Sequence, residues 1–210
     1  MKNPVLLLLL LFCTQISWAQ KFSELSPREK KWVIVHPLAG LKAKKITQRT
    51  QAIMDSLSRA GDILDGIISG GQTDAFRHGL WMIMLCQRLG PQKAYDIGYA
   101  HEKGGKWRFE KGQTEHGLPA DSMDMVMDLI NNQLGIELAL KWKERGQNPG
   151  MPEIISVLKQ HIESGKFKVL LNDRKGNFYT CGQRFISGKK ESKSWSSEKC
   201  LVPSNIYYTD

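Results

Sequence analysis

Apolar residues recur at helical spacing along most of this chain and change to short β-like runs only near its C-terminal end. The first clear start signal is Ser26-Pro27-Arg28-Glu29. A serine that accepts from a free backbone N–H, a proline at the first helical position and a glutamate that reaches back make a capping box. The helix it opens carries Trp32, Val33 and Val35 and should stop at His36, because Pro37 disfavours α geometry in the residue before it. A second helix is predicted over 38–59, with Leu41, Ile46, Ile53, Met54 and Leu57 as its apolar positions. Turns follow at Gly61, Gly66, Gly70 and Gly71. The third helix should begin at Thr73 or Asp74 and run to Leu89. Past its first turn it is apolar almost all round, from Leu80 to Cys86, as expected of a helix surrounded by protein. Gly90-Pro91 ends it and opens a fourth helix, over 91–102. A polar loop is predicted from Gly104 through Gly117, then a long helix over 119–145 and a shorter one over 152–164. Beyond these, Phe167 to Leu171, a turn at 173–177 and Phe178-Tyr179-Thr180 form a hairpin signal, with a closing segment at 201–208. The expected fold is therefore mainly α: a single helical domain, 20–165, with a small C-terminal β-hairpin appendage in a basic tail, 166–210.

The 210 residues are 41% hydrophobic and 24% charged, ordinary for one globular core. Part of the apolar share is set apart at 5–12, an unbroken run behind Lys2. It is far shorter than the ~20 residues that span a bilayer. With Ser17-Trp18-Ala19 after it, small at −3 and −1, it reads as a signal peptide, 1–19, cleaved after Ala19. The expectation is an exported protein, periplasmic or secreted, with no transmembrane helix. Export gives meaning to the cysteines: Cys181 and Cys200 bracket a polar loop and should pair, whereas Cys86 follows an apolar run and reads as a small buried hydrophobe. The net charge is +9, and residues 166–210 carry nine Lys or Arg against four acids. An anionic envelope surface or polymer is the expected partner, with nucleic acid the less favoured one.

Three clusters could carry chemistry. Asp74, Arg77 and His78 lie at the start of the third helix, with Asp74 and His78 four apart on one face. A purely structural reading makes Asp74 a complement to the helix dipole. His101 and Glu102 end the fourth helix, three and four residues after Gly98, whose missing side chain invites close approach of another helix. Along the long helix, positions 124, 128, 131 and 135 form a stripe of Asp124, Asp128, Asn131 and Gly135, with Asn132 beside it. Met123, Val126, Met127, Ile130, Leu134 and Leu138 should form the adjoining core face. Asp and Asn are poor helix formers, so such a stripe suggests polar contacts inside the fold, whether a site or a network that fixes packing. Imidazole and carboxylate together suit a divalent metal, zinc or manganese, with His78, His101, Glu102, Asp128 and Asp74 as candidate ligands. They equally suit metal-free acid–base chemistry, with Arg77 stabilising negative charge. No Gly-x-Ser-x-Gly elbow, phosphate-binding Gly-Lys loop or Cys-x-x-Cys pair occurs.

Asp74-Ala75-Phe76-Arg77-His78-Gly79-Leu80-Trp81, Gly98-Tyr99-Ala100-His101-Glu102 and Asp128-Leu129-Ile130-Asn131-Asn132-Gln133-Leu134-Gly135, in this order, resemble a bacterial domain family of unknown function. That family has the pattern Asp-Ala-x-Arg-His-x-x-Trp, Gly-x-Ala-His-Glu and Asp-x-x-Asn-Asn-x-x-Gly, and occurs in exported proteins and at the ends of toxin-like polypeptides. The resemblance spans about 36–135. It implies that Arg77, His78, His101, Glu102, Asp128, Asn131 and Asn132 belong to one site, and it brings no established activity. Two readings stand: an exported hydrolase of an anionic envelope substrate, such as a phospholipid or another phosphodiester, and a non-catalytic envelope-binding or scaffold domain whose polar cluster is a buried structural network.

Overall fold

A computed structural model describes residues 22–114, 119, 121–186 and 194–209 and is mainly α-helical, with one small antiparallel pair of strands. The apolar run at 5–12 and the cleavage expected after Ala19 lie outside the described residues. No helix among those described is long and apolar enough to cross a membrane.

Helix α1 (Pro27–Val35) begins with the complete capping box: Glu29 N–H donates to Ser26 Oγ, and Ser26 N–H donates to the Glu29 carboxylate. His36 ends it, and α2 (Pro37–Arg59) follows at once. The apolar positions of these helices divide. Trp32, Ile46 and Met54 are buried, whereas Val35 and Leu41 project to solvent, contrary to a core role.

Helix α3 (Gln72–Leu89) is the centre of the molecule, its apolar surface from Leu80 to Cys86 enclosed on all sides. Around it pack α2, α4 (Pro91–Lys103), α6 (Ser122–Glu144), α7 (Met151–Glu163) and the strand β1 (Lys168–Leu170). Two expected boundaries move. The polar loop after Gly104 contains a short helix, α5 (Gly105–Glu110), because Gly104 itself adopts right-handed helical geometry and carries the chain on. The long helix starts at Ser122 rather than 119. Asp121 caps it by accepting from the N–H groups of Met123 and Asp124, and Asp124 returns the bond.

The polar stripe of α6 is turned inward as its residue types suggest, and the expected core face is only partly so. Asp124, Asp128, Asn131, Asn132 and Gly135 are buried, as are Met127 and Leu138, while Met123, Val126, Ile130 and Leu134 are only half-buried. The polar stripe is the side turned to α3. Gly135 makes this contact close: a Cβ there would lie 2.7 Å from the Gly79 carbonyl oxygen and 3.1 Å from Gly79 Cα. Those neighbours are backbone and cannot swing aside.

At the C-terminal end β1 pairs antiparallel with β2 (Leu201–Pro203), Val169 opposite Val202. The hairpin partner expected at 178–180 contributes only isolated bridges, Asn172 with Phe178 and Tyr179 with Phe185. The more distant segment takes the ladder: Leu171 N–H donates to the Cys200 carbonyl just before β2, and the Cys181–Cys200 disulfide ties the same point to the end of the 178–180 segment. The tail is also tied into the helices: the Gln72 amide donates to the Ser204 carbonyl, and Leu170 N–H to that of Gly70. Cys86 is a buried free thiol, its pKa pushed up by burial.

Two stability measurements test this packing. An alanine inside a helix ordinarily beats glycine by roughly 1 kcal/mol. Gly135→Ala should reverse that sign and lower the urea-unfolding free energy by about 1–3 kcal/mol, because α3 and α6 must separate. Replacing both Cys181 and Cys200 by serine should cost about 3 kcal/mol in the same assay, as expected for opening a loop of this size.

Candidate functional site

The turn before α3 fixes where its first polar residues point. Asp65, in the turn dipeptide Asp65-Gly66, accepts from the N–H groups of Ile67, Gln72 and Thr73 and so caps the helix from outside. Asp74 is thereby relieved of capping. Its carboxylate accepts from Gly70 N–H at 2.8 Å and from Arg77 Nη2 at 2.6 Å.

His78, one turn further on, is completely buried. Its Nδ1 lies 3.1 Å from Asn132 Oδ1, and Asn132 Nδ2 donates to Glu102 Oε1 at 2.9 Å. The amide oxygen accepts the imidazole proton, so the proton sits on Nδ1 and the Nε2 lone pair faces the opposite side. There Nε2 meets Arg77 Nη2 at 2.7 Å, Asp128 Oδ1 at 3.2 Å and Asp74 Oδ1 at 3.6 Å. Three acceptors thus converge on one point, which a cation must neutralise. Arg77 supplies that charge here. One ligand atom each from Asp74, His78 and Asp128 lie within 4.8 Å of one another. The N and O ligands of a tetrahedral zinc stand ~3.4 Å apart, so to hold a metal the set would have to close and Arg77 to withdraw. Gly98 makes room for the assembly: a Cβ there would press on Met82 at 3.0 Å and approach Asn132 Nδ2 at 3.5 Å.

The other expected site residues point elsewhere. His101 is on the same helix as Glu102, but its Nδ1 is bound to Glu29 Oε1 at 2.8 Å, and its ring stands edge-on to Trp81. Arg108 donates to Glu29 Oε2 at 3.1 Å and to the His101 carbonyl at 2.8 Å. Asn131 is turned to β1, where its amide exchanges two hydrogen bonds, both 2.9 Å, with the Lys168 backbone. Asp124 meets Lys199, whose ammonium lies 2.7 Å from Asp121 and 3.3 Å from Asp124. Burial pushes the Asp124 carboxyl up to about 7. Lys199 opposes this rise, while Asp121 and Asp74 reinforce it.

Sequence reasoning missed Glu29, Arg108, Asp65 and Lys199. Glu29 was legible only as a capping residue, and Asp65 only through its turn dipeptide. Nothing in their sequence neighbourhoods marks Arg108 or Lys199 as partners of residues so distant along the chain.

A family model for a domain of unknown function, DUF6973, matches residues 30–166. The chain belongs to that family. The match takes in His78, Asp128, Asn132, Glu102 and His101, stops one position short of Glu29 and ends well before Lys199. No curated protein and no solved structure matches the chain.

The two carboxyl centres give opposite pH dependences. Burial alone would raise Glu29, but the hydrogen bond and charge of His101, with Arg108 and Ser26, outweigh it and hold the carboxyl at about 2 against an ordinary 4.5. Its contribution, on the order of 3 kcal/mol, should be full above pH ~4.5 and lost as pH falls toward 2. Asp124 is raised, so the stability it contributes should be present below its ordinary 3.8 and lost as pH rises through about 7. Urea midpoints across pH should show Glu29→Gln flattening the acid limb and Asp124→Asn flattening the decline toward neutrality.

Proposed function

We propose that this chain is an exported hydrolase of an anionic ester, a phospholipid or another phosphodiester of the cell envelope, worked by the His78 centre with a divalent zinc or manganese ion. The observation that supports it is the convergence of His78 Nε2 with the Asp74 and Asp128 oxygens, while the opposite ring nitrogen is tied to Asn132. Metal-binding histidines are held in this way by a hydrogen bond at the second nitrogen. A bound ion would supply Lewis acidity and an activated water. Arg77, with 18% of its side chain exposed, is the outermost member of the ring and would turn from Asp74 toward the anionic group. His101, its Nδ1 held by Glu29 and its side chain 23% exposed, is suited to exchanging a proton with a substrate that arrives from solvent. Export is supported by the disulfide, which forms in oxidising compartments.

The second reading, a non-catalytic envelope-binding or scaffold domain, is favoured by one observation. Arg77 already stands where a metal cation would, bonded to both Asp74 and His78, and closes the network by itself.

Calorimetric titration with Zn²⁺ and Mn²⁺, followed by assay on bis(p-nitrophenyl) phosphate and phospholipid vesicles, separates the two. The hydrolase reading expects one ion per chain, and Asp128→Asn or His78→Ala should lower turnover by about 10²–10⁴-fold with metal binding weakened in parallel. If no ion binds, no ester is cleaved and His78→Ala instead costs about 2–5 kcal/mol of stability, the network is structural.

A further inference from the structure

The corner between α1 and α2 carries the three most exposed large aliphatic residues described in the molecule, with a fourth exposed aliphatic beside them. Ile34 is 70% exposed, Val35 61%, Leu38 74% and Leu41 43%. They lie within eight positions of one another, on either side of His36-Pro37, and make up an apolar tip at the junction of the two helices. Isolated surface aliphatics are unremarkable, but four exposed ones within eight positions mark an interaction surface.

Charge says what the surface meets. Residues 27–50 hold seven lysines and arginines and one acid, Glu29. That acid is buried and engaged by His101 and Arg108, so it does not offset the basic groups outside. The cations are also placed in register with the tip. Lys31 is three and four residues before Ile34 and Val35, and Lys45 is four residues after Leu41 and seven after Leu38, so each shares a helix face with the aliphatics. Lys31, Lys42 and Lys45 are all exposed; Lys31 and Lys45 stand about one helical turn, ~5 Å, from the nearest tip residues along their helices, and Lys42 lies beside Leu41. This layering, aliphatic side chains in front and ammonium groups one turn behind, matches the boundary of an anionic bilayer, where acyl chains lie below phosphate headgroups.

We propose that the α1–α2 corner is a docking site for an anionic lipid surface, with Ile34, Val35, Leu38 and Leu41 entering the acyl boundary and the lysines held at the headgroups. A second copy of this chain fits poorly, since it would bring two strongly basic surfaces together. Nucleic acid would engage the lysines and leave the aliphatic tip exposed. The docking site is separate from the His78 centre and stands whether or not that centre hydrolyses anything.

The chain as recovered from the exporting cell, its N-terminus read by mass spectrometry, is floated with vesicles of phosphatidylcholine alone or mixed equally with phosphatidylglycerol. Partition into the anionic vesicles should exceed that into the neutral ones at least ~10-fold, and high salt should abolish the difference. Ile34→Ser with Leu38→Ser should weaken binding to anionic vesicles about 10-fold or more. Lys42→Glu with Lys45→Glu should weaken it by about fivefold or more per residue. Lys166→Glu with Lys175→Glu, on the basic tail, should leave it intact. All of these positions are exposed, and thermal unfolding should not change. Equal binding to both vesicle types, loss with the tail variants alone, or full binding by both corner variants overturns the proposal. So does light scattering in which the corner substitutions split a dimer, which would assign the tip to a second copy.

Discussion

The structure depends on a polar stripe turned inward. Helix α6 presents Asp124, Asp128, Asn131 and Asn132 to the centre of the molecule, and each must find a partner there. A buried polar group left unsatisfied costs about 1–3 kcal/mol, and a charged one more. The partners come from four separate parts of the chain: His78 on α3, Glu102 on α4, the Lys168 backbone on β1 and Lys199 beside the disulfide. They can reach because Gly79 and Gly135 let two helix backbones come almost into contact. Close approach, polar satisfaction and the placement of the tail are thus one constraint, and the convergence at His78 follows from it.

The same arrangement divides charge between inside and outside. Among the described residues, the carboxylates of Glu29, Asp74, Glu102, Asp121, Asp124 and Asp128 are buried, and Lys199 is the one buried lysine or arginine. The interior therefore concentrates acid. A chain with net charge +9 that hides six carboxylates shows solvent a surface more basic than its composition implies. Inside, excess acid around an imidazole calls for a cation, a role that Arg77, the least buried member of the cluster, fills. Outside, the unbalanced bases become a means of attraction, and at the α1–α2 corner they accompany an apolar tip.

How much was legible beforehand can be argued element by element. The capping box at Ser26, the break at Gly90-Pro91 and the enclosed run of α3 are local signals, and each marks its element. Gly104-Gly105 read as a loop because glycine usually breaks helices, yet Gly104 adopts helical geometry and a short helix follows. Val35 and Leu41 had the spacing of core residues and are exposed, since periodicity identifies an apolar face without showing that a neighbour covers it. On α6 the polar stripe is buried as its residue types suggested, whereas of the apolar face only Met127 and Leu138 are. His78, Glu102, Asp128 and Asn132 were all candidates from their residue types and spacing, and the fold brings them into one cluster. His101 and Asn131 were candidates by the same logic, yet one pairs with Glu29 and the other with a strand backbone.

The sequence by itself determined the order and type of every helix but the short α5, the pairing of Cys181 with Cys200 and the presence of a polar group set among apolar helices. These are local properties, written in caps, breakers and spacing. Only the tertiary structure decided which polar residues meet, because that depends on helix separation and rotation, and those are set by backbone contacts such as Gly79 against Gly135. Adjacent residues make the point: one position separates His101 from Glu102 and Asn131 from Asn132, and that step of about 100° around a helix sends each pair to different partners.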